Sequence, residues 1–186
     1  MVFIKKTRLF IFLLILISSC CANSSYLERR FQGVDRQQFD STCGIASISS
    51  ILKRNYSVNK TEAELLALIK IKPEYSFVDL AHVAKALGIE TLGVKISPQQ
   101  LKELHSPSIL YLNRLGYGHF VIFKGINNVW VQIEDPAWGL LNYTHSQFDG
   151  YWLQADGLGR ALIFLQDKPN HIDNERIYYK TLPFLQ

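Results

Sequence analysis

The chain has 186 residues, of which 48% are hydrophobic and 19% charged, and its net charge is +4. This length suits one domain with extensions, and the apolar content is sufficient for a core, which excludes a wholly disordered chain. Three basic residues, Lys5, Lys6 and Arg8, lie in the first eight positions. The remainder is therefore close to neutral and does not favour nucleic-acid binding. The three cysteines are too few for a small disulfide-stapled scaffold.

The N-terminus has the pattern of an export signal over residues 1–22. A basic start is followed by the apolar run 9–17, which is shorter than the roughly 20 residues of a transmembrane helix, and then by small residues. Cleavage before Asn23 and a lipobox that ends at Cys20 are both compatible with the sequence, and a buried N-terminal helix is the alternative to export. We expect an exported protein of the bacterial periplasm or cell envelope. Its one predicted membrane attachment is a lipid at Cys20.

Residues 33–166 are predicted to form one domain, followed by a surface tail over 167–186. The first half of this domain has helical patterns. Four helices are predicted: 43–53 with Thr42 as its cap, 61–70 opened by a Thr61/Glu64 capping box, 77–87 ended by Gly88, and a short one opened by Ser97-Pro98-Gln99-Gln100.

The second half of the domain has short runs rich in β-branched and aromatic residues. Strands are predicted at 91–96, 108–112, 119–125, 129–134 and 160–165, with a hairpin turn at Asn127-Asn128 and a short helix over 144–151. Helices followed by antiparallel strands indicate an α+β fold, with the N-terminal helices packed on a mainly antiparallel sheet.

Cys43 is predicted at the first position of a helix, directly after Thr42. A helix N-terminus carries partial positive charge and favours a thiolate, which is the nucleophilic form of cysteine. Helical geometry places Ile45, Ile48 and Leu52 roughly opposite Cys43, so the thiol is expected to lie off the main apolar stripe. Cys43 is therefore either a nucleophile or a buried structural cysteine.

A catalytic cysteine needs a base and a group that orients the base. Among the five histidines, His119 stands at the start of the most strand-like run in the chain, close to two glycines. The other four are expected to be ordinary surface or core residues; they are His82, His105, His145 and His171.

Asp135 ends the strand that follows the His119 strand. A hairpin brings the beginning of one strand beside the end of the next, and adjacent strands are about 4.8 Å apart. We therefore expect Asp135 to lie beside His119, although an Asp-Pro pair can also be a simple strand-ending turn.

Three short segments together resemble a known family. Gln37-x5-Cys43-Gly44, Gly118-His119-Phe120-Val121 and Asp135-Pro136-x2-Gly139 are similar to the bacteriocin-processing, double-glycine leader peptidases, which are papain-like cysteine peptidases. The likeness is to stand-alone exported relatives and covers roughly 34–165. It implies a papain-like fold.

The resemblance also implies a role for each matched residue. Cys43 would be the nucleophile, His119 the general base and acid, and Asp135 the residue that orients the imidazole. Gln37 would supply the oxyanion-hole amide, with Gln38 as a less well spaced rival. The implied reaction is hydrolysis after a small-residue pair such as Gly-Gly in a peptide or protein substrate. Tyr117 and Trp138, which are close in sequence to His119 and Asp135, either line the cleft or pack in the core.

Two other functions remain open from the sequence. One is a papain-like acyltransferase, and the other is an envelope protein that binds or assembles peptides without turnover. The chain has no GxxxxGK[ST] motif and no multi-span region, so ATP-driven export is not expected of it. No metal or cofactor is expected either, because HExxH and CxxC motifs are absent and the histidines are scattered.

Overall fold

The computed structural model describes residues 26–114 and 116–165. The predictions for the export signal at 1–22 and for the tail at 167–186 lie outside the described residues. The helices are α1 (Tyr26–Arg30), α2 (Cys43–Asn55), α3 (Glu62–Leu66), α4 (Phe77–Ala86), α5 (Pro98–Glu103) and α6 (His145–Trp152). The strands are β1 (Thr91–Ile96), β2 (Ser108–Arg114), β3 (Tyr117–Ile126), β4 (Trp130–Asp135), β5 (Gly139–Thr144) and β6 (Gly159–Phe164).

The strands form one six-stranded sheet in the order β1-β6-β2-β3-β4-β5, and every paired strand is antiparallel. The run from β2 to β5 is a meander of consecutive hairpins. Four of the six helices in the described residues precede the first strand and the sheet is antiparallel, so the predicted α+β fold is confirmed. None of the helices in the described part of the chain is long and apolar enough to cross a membrane.

Two hydrophobic clusters cover the two faces of the sheet. The first contains Ile45, Ile48 and Leu52 of α2, all fully buried, together with Phe120 and Ile122 of β3. Alternation along β3 turns its remaining apolar residues to the second cluster, which includes α6. As a result, α2 lies against the strand that carries His119.

Several predicted boundaries are confirmed. Gly88 adopts φ +76 after α4, and the N–H groups of Gly88 and Ile89 bond back to the last turn, as in a left-handed helix end. The β3–β4 turn is closed by Asn127, whose side-chain oxygen accepts hydrogen bonds from the N–H groups of Val129 and Trp130.

Other parts of the prediction were wrong. The second helix was predicted to reach Lys70, but α3 ends at Leu66 because the next N–H groups, those of Leu68 and Ile69, bond to carbonyls three residues back. The strand β5 and the short helix α1 were not predicted. Thr42 does stand at the N-cap of α2, yet its side chain makes no capping hydrogen bond.

A buried carboxylate joins the end of α2 to the β3–β4 hairpin. Glu134 is 2% exposed and forms ion pairs with Arg54 of α2 at 2.7 Å and with Lys124 of β3 at 3.6 Å. Burial is the main influence on Lys124 and lowers its pKa, although the charge of Glu134 opposes the shift. This cluster holds the helix that begins at Cys43 against the two strands that carry His119 and Asp135.

Candidate active site

The cysteine at the start of α2 is buried between the helix and the sheet. Cys43 is 7% exposed and belongs to the first hydrophobic cluster, so it is buried although it does not belong to the main apolar stripe of the helix. Its Sγ accepts a hydrogen bond from the backbone N–H of Phe120 at 3.5 Å.

Gly44 has a packing role beside the cysteine. A Cβ at this position would lie 2.8 Å from a methyl carbon of Leu80 and 3.0 Å from the ring of Phe120. The absent side chain therefore lets α2 approach α4 and β3, which brings Cys43 close to the start of β3.

His119 and Asp135 meet as the hairpin spacing predicts. His119 Nε2 lies 2.8 Å from Asp135 Oδ1, and the aspartate is almost completely buried. The imidazole also interacts electrostatically with the side chain of Cys43, which lines the same cavity. Because Nε2 is bound to Asp135, Nδ1 is the ring nitrogen that remains for the sulfur. The structure thus brings together three of the four residues proposed from the sequence.

The surroundings of His119 favour its charged form. Burial is the largest single influence and would lower its pKa, but the hydrogen bonds and negative charges of Asp135 and Cys43 outweigh burial and raise the pKa of His119 to about 10. The imidazole therefore stays protonated well above its ordinary pKa of 6.5. A protonated imidazole placed between a cysteine and a buried carboxylate is an arrangement that can activate a cysteine nucleophile.

The turn after β4 fixes the position of Asp135. Its Oδ1 also accepts hydrogen bonds from the backbone N–H groups of Ala137 at 2.8 Å and Trp138 at 3.1 Å. Gly139 follows with φ +83, where an added Cβ would lie 2.3 Å from the carbonyl oxygen of Arg30. The Asp-Pro-x-x-Gly segment is therefore a turn whose own backbone holds the carboxylate toward His119.

Gln37 lies beside this turn, but its amide does not reach the cysteine. Its backbone N–H donates to the carbonyl of Pro136 at 3.0 Å. Its side-chain Nε2 donates to the carbonyls of Phe39 at 2.8 Å and Asp40 at 3.2 Å. Gln38, the rival from the sequence, has an exposed side chain.

A cavity of about 290 Å³ opens beside the thiol. It is lined by Asp40, Ser41, Cys43, Pro73, Glu74, Tyr75, Tyr111, Gly118, His119 and Phe120. The hydroxyl of Tyr111 lies directly over Gly118, where a Cβ would be 1.8 Å away. Residue 118 must therefore be glycine, because Tyr111 fills the space that its side chain would occupy.

The remaining histidines and the predicted lining aromatics lie elsewhere. His82 and His105 are exposed, and His145 bonds the carbonyl of Asn127, while His171 lies outside the described residues. Tyr117 and Trp138 are 79% and 54% exposed, so the core-packing alternative for them was wrong, and neither lines the cavity. Among the residues that the structure describes, no three His, Cys, Asp or Glu side chains group as metal ligands.

The sequence did not identify Phe120, Tyr111 or Glu62 as parts of this region. The contribution of Phe120 comes from its backbone, and that of Tyr111 depends on a contact across the sheet. Glu62 binds the loop that precedes Cys43.

Comparisons with known proteins agree on one family. The model described as the peptidase C39 family matches residues 32–155. The chain is 29% identical over 136 residues to the probable functional amyloid protease FapD of Pseudomonas aeruginosa, which covers 69% of this chain and 60% of that protein. The chain therefore spans less than two thirds of the length of that relative.

Two further relatives are named as parts of transport proteins. The chain is 34% identical over 118 residues to the sublancin-168-processing and transport ATP-binding protein SunT of Bacillus subtilis, over 59% of this chain and 16% of that protein. The crystal structure of a double glycine motif protease from an AMS/PCAT transporter, in complex with the leader peptide, superposes with a TM-score of 0.62 at 26% identity. That match covers 70% of this chain and 89% of the solved one.

Proposed function

Because the chain belongs to the peptidase C39 family, we propose that it is a cysteine endopeptidase that hydrolyses the bond after a small-residue pair such as Gly-Gly. The observation that carries this proposal is the placement of His119 between Cys43 and Asp135. A base that is bound to a nucleophile on one side and to an orienting carboxylate on the other is the arrangement that acyl chemistry requires.

The first half of the reaction forms an acyl-enzyme. The Cys43 thiolate attacks the scissile carbonyl carbon, and the electron pair of the C=O bond moves to the oxygen. When this oxyanion collapses, the C–N bond breaks and His119 gives its proton to the leaving amine. Asp135 holds the imidazole in place and stabilises its charged form, which is the form that donates.

The second half returns the enzyme to its starting state. The neutral imidazole of His119 takes a proton from water, and the resulting hydroxide attacks the thioester. Collapse of the second oxyanion expels the Cys43 thiolate and releases the carboxylic acid. His119 is then protonated again beside the thiolate.

Two donors would stabilise the oxyanion, namely the backbone N–H of Cys43 and the side-chain amide of Gln37. Removing one such donor costs about 10²–10³ in kcat in other enzymes. In the structure the Gln37 amide is bound to carbonyls of its own loop, so it would have to exchange those partners for the oxyanion. The bond from the Gln37 N–H to Pro136 keeps this residue at the site.

The small-residue preference is supported by the relatives and by the walls of the cavity. The solved relative is a double glycine motif protease in complex with a leader peptide. In this chain, Tyr111 already occupies the space over Gly118, directly before His119. A substrate residue without a side chain fits beside such a wall more readily than a large one.

A peptide panel tests this proposal. We expect the full chain to cleave a peptide with Gly-Gly or Gly-Ala before the scissile bond, and to cleave Gly-Leu and Leu-Gly versions about 100-fold more slowly, because a side chain must displace packed groups. Product masses identify the cleaved bond. Equal cleavage of all four peptides would contradict the small-residue rule, and no cleavage of any would contradict the peptidase function.

The two alternative functions predict different products from the same panel. An acyltransferase would join the N-terminal fragment to an added amine, and a binding protein would leave every peptide intact. We favour hydrolysis because the matched relatives include a probable functional amyloid protease and a sublancin-168-processing protein.

We propose that the protein is exported, on the basis of the basic, apolar and small-residue order of residues 1–22. The choice between a lipid at Cys20 and release before Asn23 is decided by the mass of the mature N-terminus. The proposed substrate is a leader or precursor peptide in the cell envelope.

Asp135→Asn should shift the alkaline limb of the pH profile. With Asp135 present, the proton that His119 gives to the leaving amine is retained up to a pH of about 10. Loss of the carboxylate charge should lower the pKa of His119 toward its ordinary value, so kcat/KM should begin to fall about 1–3 pH units lower than in the wild type. The measurement is kcat/KM between pH 6 and the highest pH at which the fold survives.

Asp156→Asn serves as the control, since this exposed carboxylate pairs with Lys95. It should leave the alkaline limb unchanged. An unchanged limb in Asp135→Asn would show that Asp135 does not govern the charge of His119.

A further inference from the structure

Glu62 is a buried carboxylate that the catalytic steps above do not use. It is the first residue of α3 and is 5% exposed. Its Oε2 accepts a hydrogen bond from the backbone N–H of Gln38 at 2.9 Å, and its Oε1 accepts one from the hydroxyl of Thr42. These two donors stand at the two ends of the loop that joins Gln37 to Cys43.

The helix that begins at Cys43 also starts differently from its neighbours. In α3, α4, α5 and α6 the N-cap side chain accepts a hydrogen bond from a backbone N–H of the first turn, and each helix has a complete capping box. In α2 the N-cap is Thr42, and it makes no such bond. Its hydroxyl is turned toward Glu62 and the carbonyl of Phe39. The first-turn N–H groups of α2 are therefore not engaged by a cap.

These observations are explained together if the start of α2 must stay open. A cap on the first turn would occupy the region where the Cys43 N–H meets the substrate oxygen. Glu62 draws the Thr42 hydroxyl away from that region. It also fixes the backbone of Gln38, the residue next to the proposed oxyanion donor Gln37.

We propose that Glu62 is a positioning residue of the peptidase: it holds the backbone of the loop 38–42, so that the Cys43 N–H stays open to the oxyanion and the Gln37 amide can reach the oxyanion once it exchanges its loop carbonyls for it. This inference rests on the proposed function. An oxyanion donor acts best when the backbone that carries it is held in place before the reaction, and a misplacement of about 1 Å can cost 10²-fold in rate. Glu62 acts through the loop and does not touch the substrate.

The network predicts that glutamine can replace Glu62 but leucine cannot. In Glu62→Gln, the amide oxygen can accept from the Gln38 N–H, and the amide NH₂ can donate to the Thr42 hydroxyl oxygen, whose own proton then goes to the carbonyl of Phe39. In Glu62→Leu both bonds are lost. If the role of Glu62 depended on its negative charge, both variants would lose activity to the same extent, since both remove the charge.

The test measures kcat and KM on a Gly-Gly peptide. The value of kcat is expressed per active site, and the active sites are counted by alkylation of Cys43. We expect Glu62→Leu to lower kcat about 10–100-fold with KM within about threefold of the wild type, and Glu62→Gln to restore most of the lost kcat. The rate of Cys43 alkylation should stay within about threefold in both, because the cysteine–histidine pair does not depend on the loop.

Glu64→Leu is the matched control, since Glu64 belongs to the same helix and its capping box but does not contact the loop. It weakens α3 and should leave kcat per titrated site unchanged. A purely structural role for Glu62 would reduce the number of titratable sites and leave kcat per site equal to the wild type, and that result would overturn the proposal.

Two further outcomes are also decisive. A Glu62→Gln variant as slow as Glu62→Leu would overturn positioning by hydrogen bonds. If Glu62→Leu does not fold, Thr42→Val decides: loss of one of the two loop bonds should lower kcat at least about threefold, and an unchanged kcat would overturn the proposal. A wild-type chain that cleaves no peptide contradicts the proposed function itself, which is a separate result.

Discussion

Cys43→Ala should abolish cleavage of a Gly-Gly peptide, with kcat reduced by about 10⁶-fold, the scale seen when a nucleophile that acts with its base is removed. The reason is that the Cys43 thiol is the cavity-lining nucleophile that interacts with the His119 imidazole. The variant should still fold, because Cys43 fills little volume and a smaller apolar side chain is tolerated in the cluster around it. The measurement is peptide cleavage followed by mass spectrometry over long incubation, with circular dichroism to verify the fold.

Cys43→Ser is the companion variant. It keeps the shape of the site and the hydrogen-bonding contact with Phe120, but an alcohol is far harder to ionise than a thiol beside an imidazolium. We expect it to be inactive and yet able to bind the substrate. Cleavage by Cys43→Ala above about one per cent of the wild-type rate would contradict the role of Cys43.

His119→Ala should lower kcat/KM by at least about 10³-fold, the usual contribution of a general acid and base. It should also slow the alkylation of Cys43 at neutral pH, because the thiolate loses the cation that stabilises it. The alkylation rate distinguishes a catalytic role of His119 from a structural one. If the role were only structural, the folded His119→Ala variant would keep its thiolate and would be alkylated at the wild-type rate. The measurements are steady-state kinetics and the rate of reaction with iodoacetamide.

His105→Ala is the control for this pair of measurements. His105 is exposed in the segment after α5 and lies outside the cavity. It should change neither the cleavage nor the alkylation rate. A His119→Ala variant that kept the wild-type alkylation rate would indicate that His119 does not stabilise the thiolate.

The sequence predicts most of the fold because most helix ends and turns in this chain are determined by residues that are close together in the sequence. Capping residues mark the starts of α3 and α5, Gly88 marks the end of α4, and Asn127 closes a hairpin. The strand β5 was missed because it directly follows the Asp-Pro turn and is an edge strand of the sheet, paired with β4 alone. The length of α3 was missed because the apolar periodicity continues past Leu66, where the backbone tightens.

The sequence also predicts the pairing of His119 with Asp135, because a hairpin of known length determines which residues are neighbours. It does not predict contacts that depend on the packing of distant elements. Glu62 reaches Gln38 across 24 positions, and Cys43 receives a hydrogen bond from Phe120 across 77. The burial of Cys43 was likewise missed, because the pattern within α2 shows one apolar stripe, whereas α4 and β3 cover a second side of the helix.

The most direct test of the central claim is the mass of the products formed from one Gly-Gly peptide by the full chain in water enriched in oxygen-18. Hydrolysis through Cys43 predicts two fragments split after the second glycine, with one oxygen-18 atom in the new carboxylate of the N-terminal fragment. The same reaction with Cys43→Ala should give only intact peptide. An intact peptide with the wild-type chain, an N-terminal fragment joined to an amine, or fragments formed by Cys43→Ala would each contradict the account.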